Sequence, residues 1–201
     1  MAKMECYVLM NIDTTQSLGL LSAVIWQKEG IRMYEIEGPW DAFLHYSGTI
    51  DNMIKFGERI RRTNGVRAAE TYLSSNSVAK NSIKADPSAL ISGYAQPRYG
   101  YDESPIDIRE LLRVLSKYPQ MRRISAIMGG IDLIGEINGS LNEWQVARRT
   151  LLKSLPSYVT LETHRVIKYD PSDQFDISSL GEKDRAKLVG KGRSGRTNKL
   201  E

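Results

Sequence analysis

The stretch IEGPWDAFL at residues 36–44 decides the fold, because it links two strand patterns through a tight turn. Apolar and polar residues around it make 31–47 a predicted β-hairpin. Gly38 and Pro39 suit the turn, since glycine adopts backbone angles that other residues avoid and proline fits a turn better than a central strand. We expect a helix and a closing strand to follow the hairpin.

A second stretch, IMGGIDLI at residues 127–134, repeats the glycine and aspartate spacing of the first. An offset of 91 places Gly38 on Gly129 and Asp41 on Asp132. The same offset superposes apolar positions of the flanking helices, whereas the first strand of each half aligns poorly. The alternative is a chance resemblance between two unrelated α+β stretches.

The flanking patterns give both halves the order strand, helix, hairpin, helix, strand. In the first half the strand, first helix, second helix and closing strand are predicted at 5–12, 14–28, 50–63 and 66–73. In the second half the five elements are predicted at 89–99, 106–117, 122–137, 141–154 and 158–169. We therefore predict an α+β chain of two tandem ferredoxin-like βαββαβ modules related by a pseudo-two-fold axis, of the dimeric α+β barrel type.

The predicted organisation has four parts. Residues 1–75 form the first module, the polar and turn-rich residues 76–88 form a linker, and residues 89–170 form the second module. Residues 171–201 form a basic tail that we expect to be flexible.

The two hairpin stretches resemble the effector-binding domain of Lrp/AsnC regulators, and the likeness covers about residues 4–170. The second copy departs from the pattern at Ile131, where an aromatic residue is usual. Regulators of that family carry a helix-turn-helix before this domain, whereas the first strand here begins within a few residues of Met1. The resemblance therefore implies a non-enzymatic module that senses an amino-acid-like effector, associates with copies of itself or a regulator partner, and influences transcription through that partner.

The candidate ligand-binding residues come from the same resemblance, which implies a small-molecule site where the modules meet. They are Gly38, Asp41, Thr71, Gly129, Asp132 and Thr163. A purely structural interpretation is open for the glycines and the aspartates. The glycines serve the hairpin turns, and the two aspartates hold the loops through hydrogen bonds from side chain to backbone.

The charge distribution supports a second hypothesis. The net charge is +4, and residues 182–201 carry all of it, so the rest of the 201-residue chain is neutral. This tail either binds nucleic acid or is a solubilising end. The candidate residues for nucleic acid are Lys191, Arg193, Arg196 and Lys199.

An enzyme on the same scaffold is the third hypothesis, because some Lrp-like proteins act as decarboxylases on modified tetrapyrroles. His45 and His164 are the only histidines, and neither has a carboxylate or cysteine at metal-ligand spacing. Cys6 is the only cysteine. We therefore predict no metal and no cofactor, and we expect a cytoplasmic protein without a membrane partner, because no apolar run approaches the ~20 residues of a spanning helix.

Overall fold

The computed structural model describes residues 4–13, 31–63, 65–80, 86–98 and 103–167. The strands in these ranges are β1 (Met4–Ile12), β2 (Ile31–Ile36), β3 (Ala42–Gly48), β4 (Val66–Ala79), β5 (Ala89–Tyr94), β6 (Met121–Met128), β7 (Leu133–Ile137) and β8 (Thr160–Ile167). The helices are α1 (Ile50–Arg61), α2 (Ile108–Ser116) and α3 (Leu141–Ser154). The helix predicted at 14–28 lies outside the described residues.

Polar residues begin the three helices, as their sequences require. The side chains of Thr49, Asp107 and Ser140 each accept a hydrogen bond from a backbone N–H of the following turn. Such caps satisfy donors that the first turn of a helix cannot pair internally. The helices therefore start where a cap is available.

The eight strands close into a barrel in the order β1-β3-β2-β8-β5-β7-β6-β4, and every neighbouring pair is antiparallel. Each half contributes four strands in the same relative order, β4-β1-β3-β2 and β8-β5-β7-β6. The halves join reciprocally, because β2 pairs with β8 and β4 pairs with β6. This arrangement confirms the predicted α+β class and its ferredoxin-like sheets.

Successive side chains of a strand point to opposite faces, so the apolar residues are divided between the barrel interior and the face that the helices cover. Cys6, Val8 and Met10 of β1 pack in a cluster with α1, whereas Tyr7 and Leu9 point to the other face. A matching cluster lies between the second sheet and helices α2 and α3. The third cluster fills the barrel interior and takes residues from both sheets. Both faces of each sheet are thus enclosed.

The hairpins of the two halves are built alike. The backbone N–H of Ile36 donates to the carbonyl of Asp41 over 2.9 Å, and Ile127 donates to Asp132 over the same distance. Each hairpin loop lies against the other half, since a Cβ built on Gly38 would be 2.6 Å from Nδ1 of His164. The two hairpins therefore contribute to the junctions between the halves.

Two expectations differ from the structure. The predicted linker includes residues 76–79, but they continue β4, because this strand extends past β1 to pair with β6. The apolar spacing of the sequence predicts that Ile50 and Ile54 lie with Met53 on the buried face of α1. Both isoleucines are exposed, however, and Phe56 is buried instead. Within the described ranges, no helix is long and apolar enough to cross a membrane.

Gly129→Ala is expected to lower the free energy of unfolding by about 1–3 kcal/mol. Gly129 has a φ of +151°, and an added Cβ would lie 2.9 Å from Cδ1 of Tyr72. Gly130→Ala is the matched control, because its Cβ would meet only the Tyr72 hydroxyl at 3.9 Å. Urea denaturation of both variants measures the difference, and equal losses would contradict this account of the turn.

Candidate functional site

Five ionisable side chains form a cluster inside one end of the barrel. Glu5 comes from β1, His45 from β3, Arg122 and Arg123 from β6, and Glu136 from β7. We call them the interior charge cluster. Strand pairing brings them together, because His45 lies opposite Tyr7 of β1 and Glu136 lies opposite Arg123 of β6.

Ion pairs hold the cluster. Nη1 of Arg122 lies 2.7 Å from Oε2 of Glu136, and Nη1 of Arg123 donates a hydrogen bond to Oε1 of Glu5. Nδ1 of His45 is 3.4 Å from Oε1 of Glu136, and its Nε2 is 4.0 Å from Oε2 of Glu5. Each carboxylate therefore has an arginine partner, and the imidazole lies between the two carboxylates.

Four buried polar atoms in this cluster have no hydrogen-bond partner. They are Oε2 of Glu5, Nε2 of His45, Nε of Arg123 and Oε1 of Glu136. Buried polar atoms are normally paired, because an unpaired donor or acceptor costs about 1–3 kcal/mol. These four atoms face one another in two pairs: Oε2 of Glu5 is 4.0 Å from Nε2 of His45, and Nε of Arg123 is 3.9 Å from Oε1 of Glu136. Each pair is too far apart for a hydrogen bond, so the cluster keeps unused donors and acceptors.

Tyr7 fixes the orientation of the imidazole. Its ring stacks on His45 with centroids 4.9 Å apart and an angle of 16° between the planes. The Tyr7 hydroxyl and the Ser125 hydroxyl are 3.2 Å apart, which anchors the tyrosine to β6. His45 is thus held between a stacked ring and Glu136, with Nε2 directed away from that carboxylate toward Glu5.

The degree of burial distinguishes an inner and an outer part of the cluster. The Glu136 side chain is 1% exposed and His45 is 10% exposed, whereas Arg123 and Glu5 are 19% and 22% exposed. Solvent therefore reaches the cluster from the side of Glu5 and Arg123. Arg123 therefore lies nearer the solvent than His45 does.

Burial also sets the charge of the histidine. The pKa of His45 is lowered to about 4, first by burial and then by the charges of Arg123, Arg32 and Arg122, against the raising effect of Glu5. Burial raises the pKa of Glu136 despite the opposing charges of Arg122 and Arg123. The pKa of Glu5 is raised by burial, but the hydrogen bond and charge of Arg123 outweigh this and leave it lowered. His45 is therefore neutral near pH 7.

The predicted aspartates hold the hairpins. Oδ2 of Asp41 accepts from the backbone N–H of Ile12 over 2.8 Å, and Oδ2 of Asp132 accepts from Ala95 over 2.8 Å. The structural interpretation of these residues is confirmed, and their ligand role stays a prediction. Gly38 and Gly129 lie in the same loops, at the junctions between the halves and not in the interior charge cluster.

The predicted threonines point away from the barrel interior. Oγ1 of Thr163 accepts a hydrogen bond from Nε1 of Trp144 in α3 over 3.2 Å. Thr71 faces α1, where Met53 occupies the position that Trp144 has in the second half, and its Oγ1 is buried without a partner. The structure therefore does not bring Thr71 and Thr163 together with the interior charge cluster.

The remaining candidates are the basic tail residues, His164 and a metal site. Lys191, Arg193, Arg196 and Lys199 lie outside the described residues. His164 is buried, with Nε2 3.0 Å from the Ser92 hydroxyl and Nδ1 against Gly38, so packing surrounds both ring nitrogens. Among the described residues, no three His, Cys, Asp or Glu side chains are close enough to hold a metal ion.

Sequence reasoning considered His45 but missed its four charged neighbours. The available signal was the alternation of β7, where Glu136 interrupts an otherwise apolar strand. Glutamate almost never becomes fully buried without a partner. A lone Glu in such a strand therefore predicts an enclosed cation nearby.

Comparisons with known proteins identify the fold. No protein-family model matches the sequence, and no curated protein matches it. A siroheme decarboxylase shares the fold over 83% of this chain and 72% of its own, with 9% identity and a TM-score of 0.52. A chlorite dismutase-like protein shares it over 83% of this chain and 96% of its own, with 12% identity and a TM-score of 0.53.

These comparisons correct the function expected from sequence. The prediction of a non-enzymatic, effector-sensing module is wrong, because these structural neighbours are enzyme-type proteins, one of them a siroheme decarboxylase. At these identities the likeness itself establishes only the fold.

Thr71→Val is expected to raise the free energy of unfolding by up to about 1 kcal/mol, because it removes a buried hydroxyl without a partner. Thr163→Val is the matched variant in the other half. It leaves the Trp144 N–H unpaired and is expected to cost about 1–3 kcal/mol. Denaturant unfolding measures both, and changes of the same sign in the two variants would contradict the assignment.

Acid is expected to destabilise the wild-type protein more than His45→Gln. His45 has a folded pKa of about 4 against an ordinary value of 6.5, so between these values only the unfolded chain takes up a proton. The stability that neutral His45 confers is complete above pH 6.5 and is lost as the pH falls toward 4. Urea midpoints from pH 7 to pH 4 measure the loss, and parallel profiles for the two proteins would contradict it.

Proposed function

We propose that this chain is an enzyme that acts on a carboxylate side arm of a tetrapyrrole, and that the interior charge cluster is its active site. One observation carries the proposal: Nε2 of His45 is buried, has no hydrogen-bond partner, and lies in a cluster with two arginines at its outer and inner sides. The fold shared with a siroheme decarboxylase supports it and supplies the reaction class.

The charge of the cluster suits an anionic group. Arg122 and Arg123 balance Glu5 and Glu136 within the cluster while His45 is neutral, and the exposed Arg32 of β2, which lies opposite His45, adds one positive charge beside it. In a partly desolvated site such an excess favours binding of an anion. Guanidinium groups match carboxylates because they offer parallel donors.

The residues provide a proton as well as a binding site. An anion beside His45 raises the pKa of the imidazole, so binding of the carboxylate favours uptake of a proton by His45. Glu136 lies beside Nδ1 and stabilises the imidazolium, leaving Nε2 to serve the substrate. The arrangement of a base oriented by a carboxylate is common to enzymes that transfer protons.

Decarboxylation is the reaction that these groups fit. The bond between the side-arm carbon and its carboxylate breaks, the electron pair stays on that carbon, and CO2 leaves. Nε2–H of His45 then gives its proton to the carbon, and the reaction consumes one proton without a change of oxidation state in the protein. The buried site also excludes bulk water from the intermediate carbanion.

We further propose that the two halves arose by duplication, which their common strand order and matching hairpins support. The resemblance of each half to an Lrp/AsnC effector-binding domain is compatible with that origin. Self-association, a regulator partner, cytoplasmic location and the absence of a cofactor stay predictions from the sequence.

The test is incubation of the purified protein with iron tetrapyrroles that carry acetate or propionate side arms. Absorbance titration measures binding, and mass spectrometry detects the loss of one CO2 per arm. We expect His45→Gln to lower the rate by about 10²–10⁴-fold while binding persists. His164→Gln is the matched control and keeps the wild-type rate. Absence of both binding and CO2 loss, or full activity in His45→Gln, would overturn the proposal.

A further inference from the structure

Glu5 lies on the solvent side of the interior charge cluster, in contact with Arg123. We propose that Glu5 is an internal stand-in for the substrate carboxylate: it occupies the position between Arg123 and His45 in which a free carboxylate binds. The ligand then binds by displacing the Glu5 side chain. This inference rests on the same cluster as the proposed function and extends it to the way the site is kept closed.

Only one of the two carboxylate oxygens of Glu5 accepts a hydrogen bond. Oε1 accepts from Nη1 of Arg123, and the Ser77 side chain also interacts with the carboxylate. Oε2 has no hydrogen-bond partner and lies 4.0 Å from Nε2 of His45. Nε of Arg123 also has no hydrogen-bond partner, and its nearest carboxylate oxygen is Oε1 of Glu136 at 3.9 Å. A guanidinium binds a carboxylate best through two parallel donors, so the pair uses less than Arg123 offers. A carboxylate that is not tied to a strand can engage the second donor and approach His45.

The fold does not need an acid at this position. The strand pairs Tyr7–His45 and Leu90–Glu136 are equivalent in the two sheets, so Glu5 corresponds to Ser88. Ser88 occupies that position in the second half with a small neutral side chain. The carboxylate of Glu5 is therefore a property of the site and not of the ferredoxin-like sheet.

Removal of Glu5 leaves an uncompensated positive charge. The charged or titratable groups around it are Tyr7 of β1, the exposed Arg32 of β2, His45 of β3, Arg122 and Arg123 of β6, and Glu136 of β7. Arg122 keeps its partner Glu136 at 2.7 Å, whereas Arg123 loses its hydrogen-bonded carboxylate and keeps only Glu136, whose Oε1 is 3.9 Å from its Nε. A largely buried guanidinium without a hydrogen-bonded carboxylate is costly, and an added carboxylate relieves that cost.

The interior also limits what can enter. Tyr7, Phe43, Leu90 and Ile134 are fully buried in the apolar cluster beyond the charged residues. A macrocycle cannot occupy this packed region. The site therefore takes the carboxylate end of a slender side arm, and a monocarboxylate as small as acetate contains the whole recognised group.

Sodium acetate, compared with sodium chloride at equal ionic strength, is the probe. In Glu5→Ala we expect acetate to raise the melting temperature saturably, by roughly 2–4 °C when it is about fivefold above its dissociation constant. The wild type should show a much smaller shift at the same acetate concentration, because acetate must first displace the Glu5 side chain. The double variant Glu5→Ala with Arg123→Met should lose the shift, since the binding group is gone.

Asp13→Ala is the matched control, because Asp13 pairs with Arg67 in an exposed ion pair whose loss also leaves an arginine unpaired. If Glu5→Ala does not fold in chloride, its refolding yield in acetate is compared with that in chloride, and Glu5→Ser is tested in the same way. A response equal to that of Asp13→Ala, or one that survives loss of Arg123, would overturn the inference. Acetate binding without tetrapyrrole turnover would overturn only the proposed function, and the reverse result would overturn only the role of Glu5.

Discussion

Closure of the barrel is the constraint on which the rest of the structure depends. Because β2 pairs with β8 and β4 pairs with β6, neither sheet has a free edge at the junctions, and the inner faces of both sheets are removed from solvent. Polar side chains on those faces must then find partners among themselves. The ion pairs of Glu5 with Arg123 and of Glu136 with Arg122 are the result.

The two sheets place different chemistry at equivalent positions. His45 of β3 and Glu136 of β7 occupy the same place in their sheets and meet with Nδ1 and Oε1 3.4 Å apart. Two identical subunits would bring two copies of one residue together here. A single chain allows a histidine on one side and a carboxylate on the other, as the proposed proton transfer requires.

Local signals made much of the fold predictable. The turn residues at 36–44 and 127–134 fix both hairpins, and the loop-holding role of Asp41 and Asp132 follows from the turn chemistry of aspartate. The interior charge cluster was not predictable in this way, because Glu5 and Glu136 look solvent-facing unless both faces of the strand are known to be covered. Whether the Thr71 and Thr163 side chains point into the barrel or toward the helices also depends on which face of the sheet the helices cover. A resemblance in sequence does not reveal that face.

Strand β4 couples the unfolding of the two halves. Its first part, from Val66 to Leu73, pairs with β1, and its second part, from Leu73 to Ala79, pairs with β6 of the other half. If one sheet unfolds, the other sheet loses hydrogen bonds to β4 as well. The half-chain is the unit that repeats in the architecture, but the smallest piece that can melt as one is the entire barrel.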